Sequence, residues 1–334
     1  KLTISKLEVK DITIASYSII KVNSGSGIVD ISESKFNNIS RTGANGKGSV
    51  LQVEFNSYIG KLIMSRTLFI DCKVETDSGL GGAIYLKIQS GEIELSKVTM
   101  NQCSAKNGGA IYSSLIEGSS MIIKDSSSFS ECKSIDGNGG SLYVEIQSGE
   151  IELSEVTMNQ CSAKNGGAIY SSLIEGSSMI IKDSSSFSEC KSIDGNGGSL
   201  YVEIQSGEIE LSEVTMNQCS AKNGGAIYSS LIEGSSMIIK DSSSFSECKS
   251  ITGNGGAMYI DIDLTSQSKF ELIDTTFQSC QSKNSTPPSS STSPFGYGGA
   301  IFLTAKGQYD PLKNGKALKG ALFDSNSALN GGQN

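Results

Sequence analysis

The sequence predicts an all-β chain wound into a single parallel β-helix, a solenoid of about 11 to 12 coils of about 29 residues each. Three observations carry this: a long repeat, a shorter glycine and cysteine spacing inside it, and a period of two among the apolar residues. Residues 88–145 recur as 146–203 with one change, Glu155 standing where the first copy has Lys97, and again as 204–261 with five changes. Paired glycines begin at Gly81, Gly108, Gly139, Gly166, Gly197, Gly224, Gly255 and Gly298, at intervals that alternate 27 and 31 before a final 43. The cysteines keep the same count, five consecutive intervals being 29 residues, so each 58-residue unit holds two related coils.

Within a coil the predicted strands follow a fixed order. From Gly139 to Ile146, Leu142, Val144 and Ile146 fall on one side and Tyr143 and Glu145 on the other, the pattern of a half-buried strand. Glu150 to Leu153 alternates likewise, and Val156 and Met158 continue into a third short stretch ending at Cys161. Clusters of Gly, Ser, Asn and Asp between the stretches supply the turns. No segment carries a 3.6-residue apolar stripe, so no helix is predicted. One coil cannot bury its inner face alone, so coils stack, and at ~4.8 Å per strand the rod is roughly 55 Å long. A β-propeller is the competing architecture, but its blades of ~40–45 residues with hairpin-linked strands do not fit this spacing. Along the chain, 1–80 reads as divergent N-terminal coils, 81–261 as near-identical coils, and 262–334 as divergent C-terminal coils with a protruding Pro/Ser-rich loop at 281–297.

Composition narrows the chemistry. There is no histidine, which removes Ser/His/Asp and Cys/His catalytic pairs and imidazole metal ligands. The net charge of −8 gives no basis for a nucleic-acid partner. No apolar run approaches the ~18 residues that span a bilayer. Lys1 to Lys10 lack the pattern of a signal peptide, so the expectation is a processed chain or a segment of a longer one.

The motif Gly-Gly-Ala-Ile occurs at Gly81, Gly108, Gly166, Gly224 and Gly298, and its upstream companion Phe-x-x-Asn appears intact as Phe323-Asp324-Ser325-Asn326. Elsewhere cysteine takes the asparagine place, as in Phe129 with Cys132 and Met158 with Cys161. This combination, in register from about Phe36 to the C-terminus, resembles the repeat of the chlamydial-type polymorphic outer-membrane proteins. The resemblance implies a right-handed β-helix, secreted or displayed at a cell surface, used for adhesion or as a scaffold. The chain departs from that family in lacking a barrel pattern and translocator segment, so autotransport is not implied.

Two columns stand out as candidate sites. Cys72, Cys103, Cys132, Cys161, Cys190, Cys219, Cys248 and Cys280 recur once per coil. They read as a buried thiol ladder in the place of the family's asparagines, as bridges between consecutive coils, or as a metal site, for which no Cys-x-x-Cys exists. Tyr85, Tyr112, Tyr143, Tyr170, Tyr201, Tyr228, Tyr259 and Phe302 share one offset from the glycines and the solvent-facing parity, and read as a self-stacking stripe or as a contact surface. Asp136-Gly137-Asn138-Gly139-Gly140 reads as a turn rather than a calcium loop, because its period is wrong for calcium β-rolls. Glu150 and Glu152 recur in three copies, whereas an active site needs one asymmetric constellation. Asn38 and Asn284 begin N-glycosylation sequons.

The expected function follows from repetition: a non-enzymatic structural or adhesive solenoid without cofactor or metal, extracellular or at a cell surface. Its expected partners are other copies of itself, joined head to tail or laterally into a fibre or layer, or surface glycans or a host protein, with no nucleic acid and no membrane span. The rival is a polysaccharide-binding or carbohydrate-active β-helix.

Overall fold

The computed structural model describes residues 1–56, 60–283, 295–308 and 318–330. They form a parallel β-solenoid with three faces, and every paired strand runs parallel to its neighbours. The first face stacks eleven strands, from Leu2–Ser5 through Glu150–Ser154 to Leu318–Lys319. The second is a ladder of short segments such as Thr157–Asn159 and Ser162–Ala163. The third stacks ten strands, from Ile20–Ser24 through Leu142–Gln147 to Ile301–Lys306. Among the described residues there is no α-helix, only a 3-10 turn at Leu264–Ser266.

The period of two works as predicted. Leu142, Val144 and Ile146 point into the core and are at most 1% exposed, while Tyr143 and Glu145 lie outside and half-buried. Like residues stack over like: on the second face Met100, Phe129, Met158, Phe187, Met216 and Phe245 form one inner column, thioether alternating with ring.

The second face departs from the single third strand expected per coil. Gln160 is left-handed (φ 54°), as are Glu131, Glu189 and Gln218 before their cysteines. That one residue splits the strand and re-aims the chain. Met158 and Cys161, three positions apart, therefore both point inward, which a regular strand forbids.

The two glycines of each pair answer different demands. Gly166 has φ +60°, a conformation that penalises any Cβ. At Gly167 a Cβ would lie 2.1 Å from the carbonyl oxygen of Gly198 in the next coil, so here the demand is close approach of backbones. Beside the pairs runs an asparagine ladder that the spacing did not reveal. Asn165 Nδ2 donates to Asn138 Oδ1 at 3.1 Å, and Asn165 Oδ1 accepts from the Asn196 backbone N–H at 3.0 Å, with Asn223 and Asn254 repeating the arrangement.

The ends of the segment 281–297 belong to the coil. Gln281–Ser282 pairs with Lys249–Ser250, and the Tyr297 N–H donates to Asn254 Oδ1 at 3.0 Å, closing the asparagine ladder. The Pro/Ser-rich middle of that segment, 284–294, and with it Asn284, lies outside the described residues.

Candidate interaction surface and buried columns

The third face holds Tyr85, Tyr112, Tyr143, Tyr170, Tyr201, Tyr228, Tyr259 and Phe302 directly over one another. Successive tyrosine centroids are 4.9 to 5.4 Å apart with planes within 15° of parallel. Each ring therefore spends both faces on its neighbours. The stack is closed at both ends: Lys47 Nζ sits 4.6 Å from the Tyr85 centroid, and Phe302 tilts by 38° over Tyr259. The stripe is more enclosed than its parity suggested, with Tyr85 only 5% exposed and the others half-buried. Stacked columns shield ring faces and leave edges and hydroxyls outermost.

Four of those hydroxyls are tied down by a second column. Register sets Ser114, Glu145, Ser172, Glu203 and Ser230 beside the rings, a carboxylate on every second coil. Glu145 accepts from Tyr112 Oη at 3.0 Å and Tyr143 Oη at 3.2 Å; Glu203 accepts from Tyr170 at 3.4 Å and Tyr201 at 2.9 Å. Burial, and then the negative charge of Glu203, pushes the Tyr170 phenol up to about 12. Tyr228 reaches about 12 through burial and then its neighbours Tyr259 and Asp261. Tyr112, Tyr143 and Tyr201 shift further the same way, by burial first and their glutamates second. Beside the carboxylates runs a shallow groove of about 310 Å³, lined by Tyr201, Glu203, Gln205, Tyr228 and Ile232 among others. It can offer hydrogen bonds and ring edges, but no free aromatic face.

The cysteine column lies inside the rod. All eight thiols are free and buried. All but Cys103 point at the backbone of the coil they stack on: Cys190 Sγ donates to Met158 O at 3.6 Å, and Cys219 Sγ to Phe187 O at 3.7 Å. Asn326 shows what the position is for. Its Nδ2 donates to Phe277 O at 3.0 Å and its Oδ1 accepts from the Cys280 N–H at 2.9 Å, so amide and thiol fill the same slot. Burial first, then neighbouring thiols, pushes Cys132 well up. Burial opposes ionisation at Cys161 as well, while the hydrogen bond its sulfur accepts from Ser141 favours the thiolate. The Ser141 Oγ lies 2.9 Å from that sulfur.

The remaining candidates are scattered. Glu150 is exposed on the first face while Glu152 is bridged by Lys182 at 3.2 Å. Asn38 is exposed but bonded to Asp11 Oδ1 at 2.9 Å. Among the described residues no three His, Cys, Asp or Glu side chains are grouped to hold a metal. Sequence reasoning missed Arg41, a guanidinium 5% exposed whose donors go to Ser18 Oγ and to the carbonyls of Ser16, Lys47 and Gly48, knitting the N-terminal coils together. One arginine in a divergent region leaves no periodic signal. Compared with protein-family models, with curated proteins and with solved structures, the chain matches none.

Proposed function

We propose that this chain is a structural or adhesive β-helix of a cell surface or the extracellular space, working through repeated contacts rather than chemistry and associating with further copies of itself. The observation that carries the reading is the strict stacking of three near-identical 58-residue units, which repeats nearly every outward side chain in register. A weak contact made by one unit is made by all three together, and linked weak contacts multiply. The resemblance of the glycine-pair and Phe-x-x-Asn repeat to surface β-helices supports the same reading.

Polysaccharide binding is the second reading, favoured by the groove beside Glu203. It ranks lower because sugars bind aromatic residues chiefly through open ring faces, and these rings are stacked on one another.

Electron microscopy of the purified chain over a concentration series tests the proposal. Fibres or ordered arrays of rods are the expected result. Monodisperse single rods at every concentration, together with retention on an acidic or neutral glycan surface, would transfer the assignment to the second reading.

A further inference from the structure

The two corners flanking the second face carry opposite charges at the same pitch. At the corner between the first and second faces, Asp125, Glu155, Asp183, Glu213, Asp241 and Asp274 occupy one register position on six successive coils. All six are left-handed, with φ between 50° and 57°, and all but the half-buried Asp125 are exposed. A cleft of about 600 Å³ opens along this edge beside Glu213, Asp241 and Asp274.

At the corner between the second and third faces the same six coils carry Lys133, Lys164, Lys191, Lys222, Lys249 and Lys283, alternating between two neighbouring columns. Among the described residues none of these lysines has a side-chain ion-pair or hydrogen-bond partner. They outnumber the exposed Asp136 and Asp194 of that edge, and Thr252 stands in the third copy. Glu131, Glu189 and Glu247 lie nearer the middle of the face, accepting from Gln102, Gln160 and Gln218. Between the lysines, Ile135, Ile193 and Ile251 are 48%, 51% and 53% exposed.

Neither edge suits an isolated rod. On the acidic edge like charges lie one strand apart, ~4.8 Å, well inside the screening length of physiological salt, about 8 Å, relieved in part where Lys182 and Lys240 approach Asp183 and Asp241 at 4.0 and 3.8 Å. On the basic edge successive lysines are diagonal neighbours, one strand and two residues apart, with no carboxylate paired to them among the described residues. Three isoleucines at the same height as the lysines add an uncovered apolar row. The charge penalty is relieved at both edges by one occupant, whose charge spacing is built into this chain.

We propose that a second copy occupies the lysine and isoleucine edge, presenting its acidic edge, with the rods parallel and level. Asp125 of one rod then faces Lys133 of the next, Glu155 faces Lys164, and so on through Asp274 and Lys283, because each coil carries one of each. The contact is heterologous and does not close, so rods add sideways into an open layer. This deepens the assembly reading above and rests on it.

The test uses two triple variants of the whole chain, each with circular dichroism as the folding control. Lys164→Glu, Lys191→Glu and Lys222→Glu makes the central three coils acidic at both edges; Glu155→Lys, Asp183→Lys and Glu213→Lys makes the same three coils basic at both. Each alone is expected to lose lateral arrays by electron microscopy, and an equimolar mixture is expected to regain them. Undiminished arrays from either variant alone would overturn the edge pairing while leaving assembly standing, and an unmodified chain that forms no arrays would overturn both. Should a variant fail to fold, a salt titration of the unmodified chain reads the same interface: arrays are expected to dissolve as salt rises, and arrays indifferent to salt would refute the pairing.

Discussion

The inward cysteine shows how much a single residue position decides. A thiol at that slot donates weakly to the coil before it, as Cys248 Sγ does to Met216 O at 3.5 Å, while the amide of Asn326 donates and accepts. The recurrence of cysteine once per coil, three residues after Phe or Met, was legible in the sequence, and the family resemblance supplied the equivalence with asparagine; the buried ladder was one of three readings that the spacing left open. The left-handed residue that makes a spacing of three point inward was not legible, since Gln160 and Glu189 are not residues that announce such a conformation. Sealed from solvent, the column should resist chemistry until the rod opens. Intact mass under denaturing, non-reducing conditions is expected to show eight free thiols, and iodoacetamide applied to the folded chain is expected to modify fewer than one per molecule. A loss of about two mass units per bridge would show the ladder to be crosslinked.

At the scale of the element, the tyrosine strand couples packing to protonation. Tyr170→Ser removes a ring stacked on both sides, at 4.9 Å from Tyr143 and 5.0 Å from Tyr201, and is expected to lower stability by about 1–2 kcal/mol. Tyr170→Phe keeps the stack, loses only the bond to Glu203, and is expected to cost under about 1 kcal/mol. Urea midpoints distinguish the two. The phenols bind their protons more tightly folded than unfolded, so their stability is fully present below the ordinary value near 10 and is lost as pH rises through about 12. Midpoints measured at pH 9 and pH 11 should fall, and less steeply in Tyr170→Phe. The column itself was legible from its offset to the glycines. Its ring geometry was not, because register alone does not say whether stacked rings turn faces or edges outward. The asparagine ladder escaped for a related reason: Asn before Gly-Gly has the composition of any turn, and only the meeting of successive coils reveals it.

For the whole molecule, architecture was readable because one unit occurs three times, and the comparison of copies separates what stacking demands from what it tolerates. The divergent first coils gave no such comparison, and there the buried Arg41, hydrogen-bonded to backbone carbonyls around it, left no signal in the spacing. The copies also alternate: Glu152 lies beside Ile122 and Ile180, and Val144 beside Ser113 and Ser171. The repeating object is thus a pair of coils. Deleting 146–203, which rejoins Glu145 to Ile204 with the local sequence intact, is expected to give a folded rod shorter by about 10 Å. Deleting a single coil in register, 146–172, sets Glu145 before Leu173, keeps the strand whole and breaks only the alternation; it is expected to unfold or aggregate, as circular dichroism and small-angle scattering would show.

That two-coil alternation makes length an adjustable property of the gene product. Unequal crossing-over between copies adds or removes whole 58-residue modules, and every viable recombinant retains the same cross-section, the same ends and the same charge on its flanks. Selection can thereby tune how far the rod reaches without redesigning anything it touches.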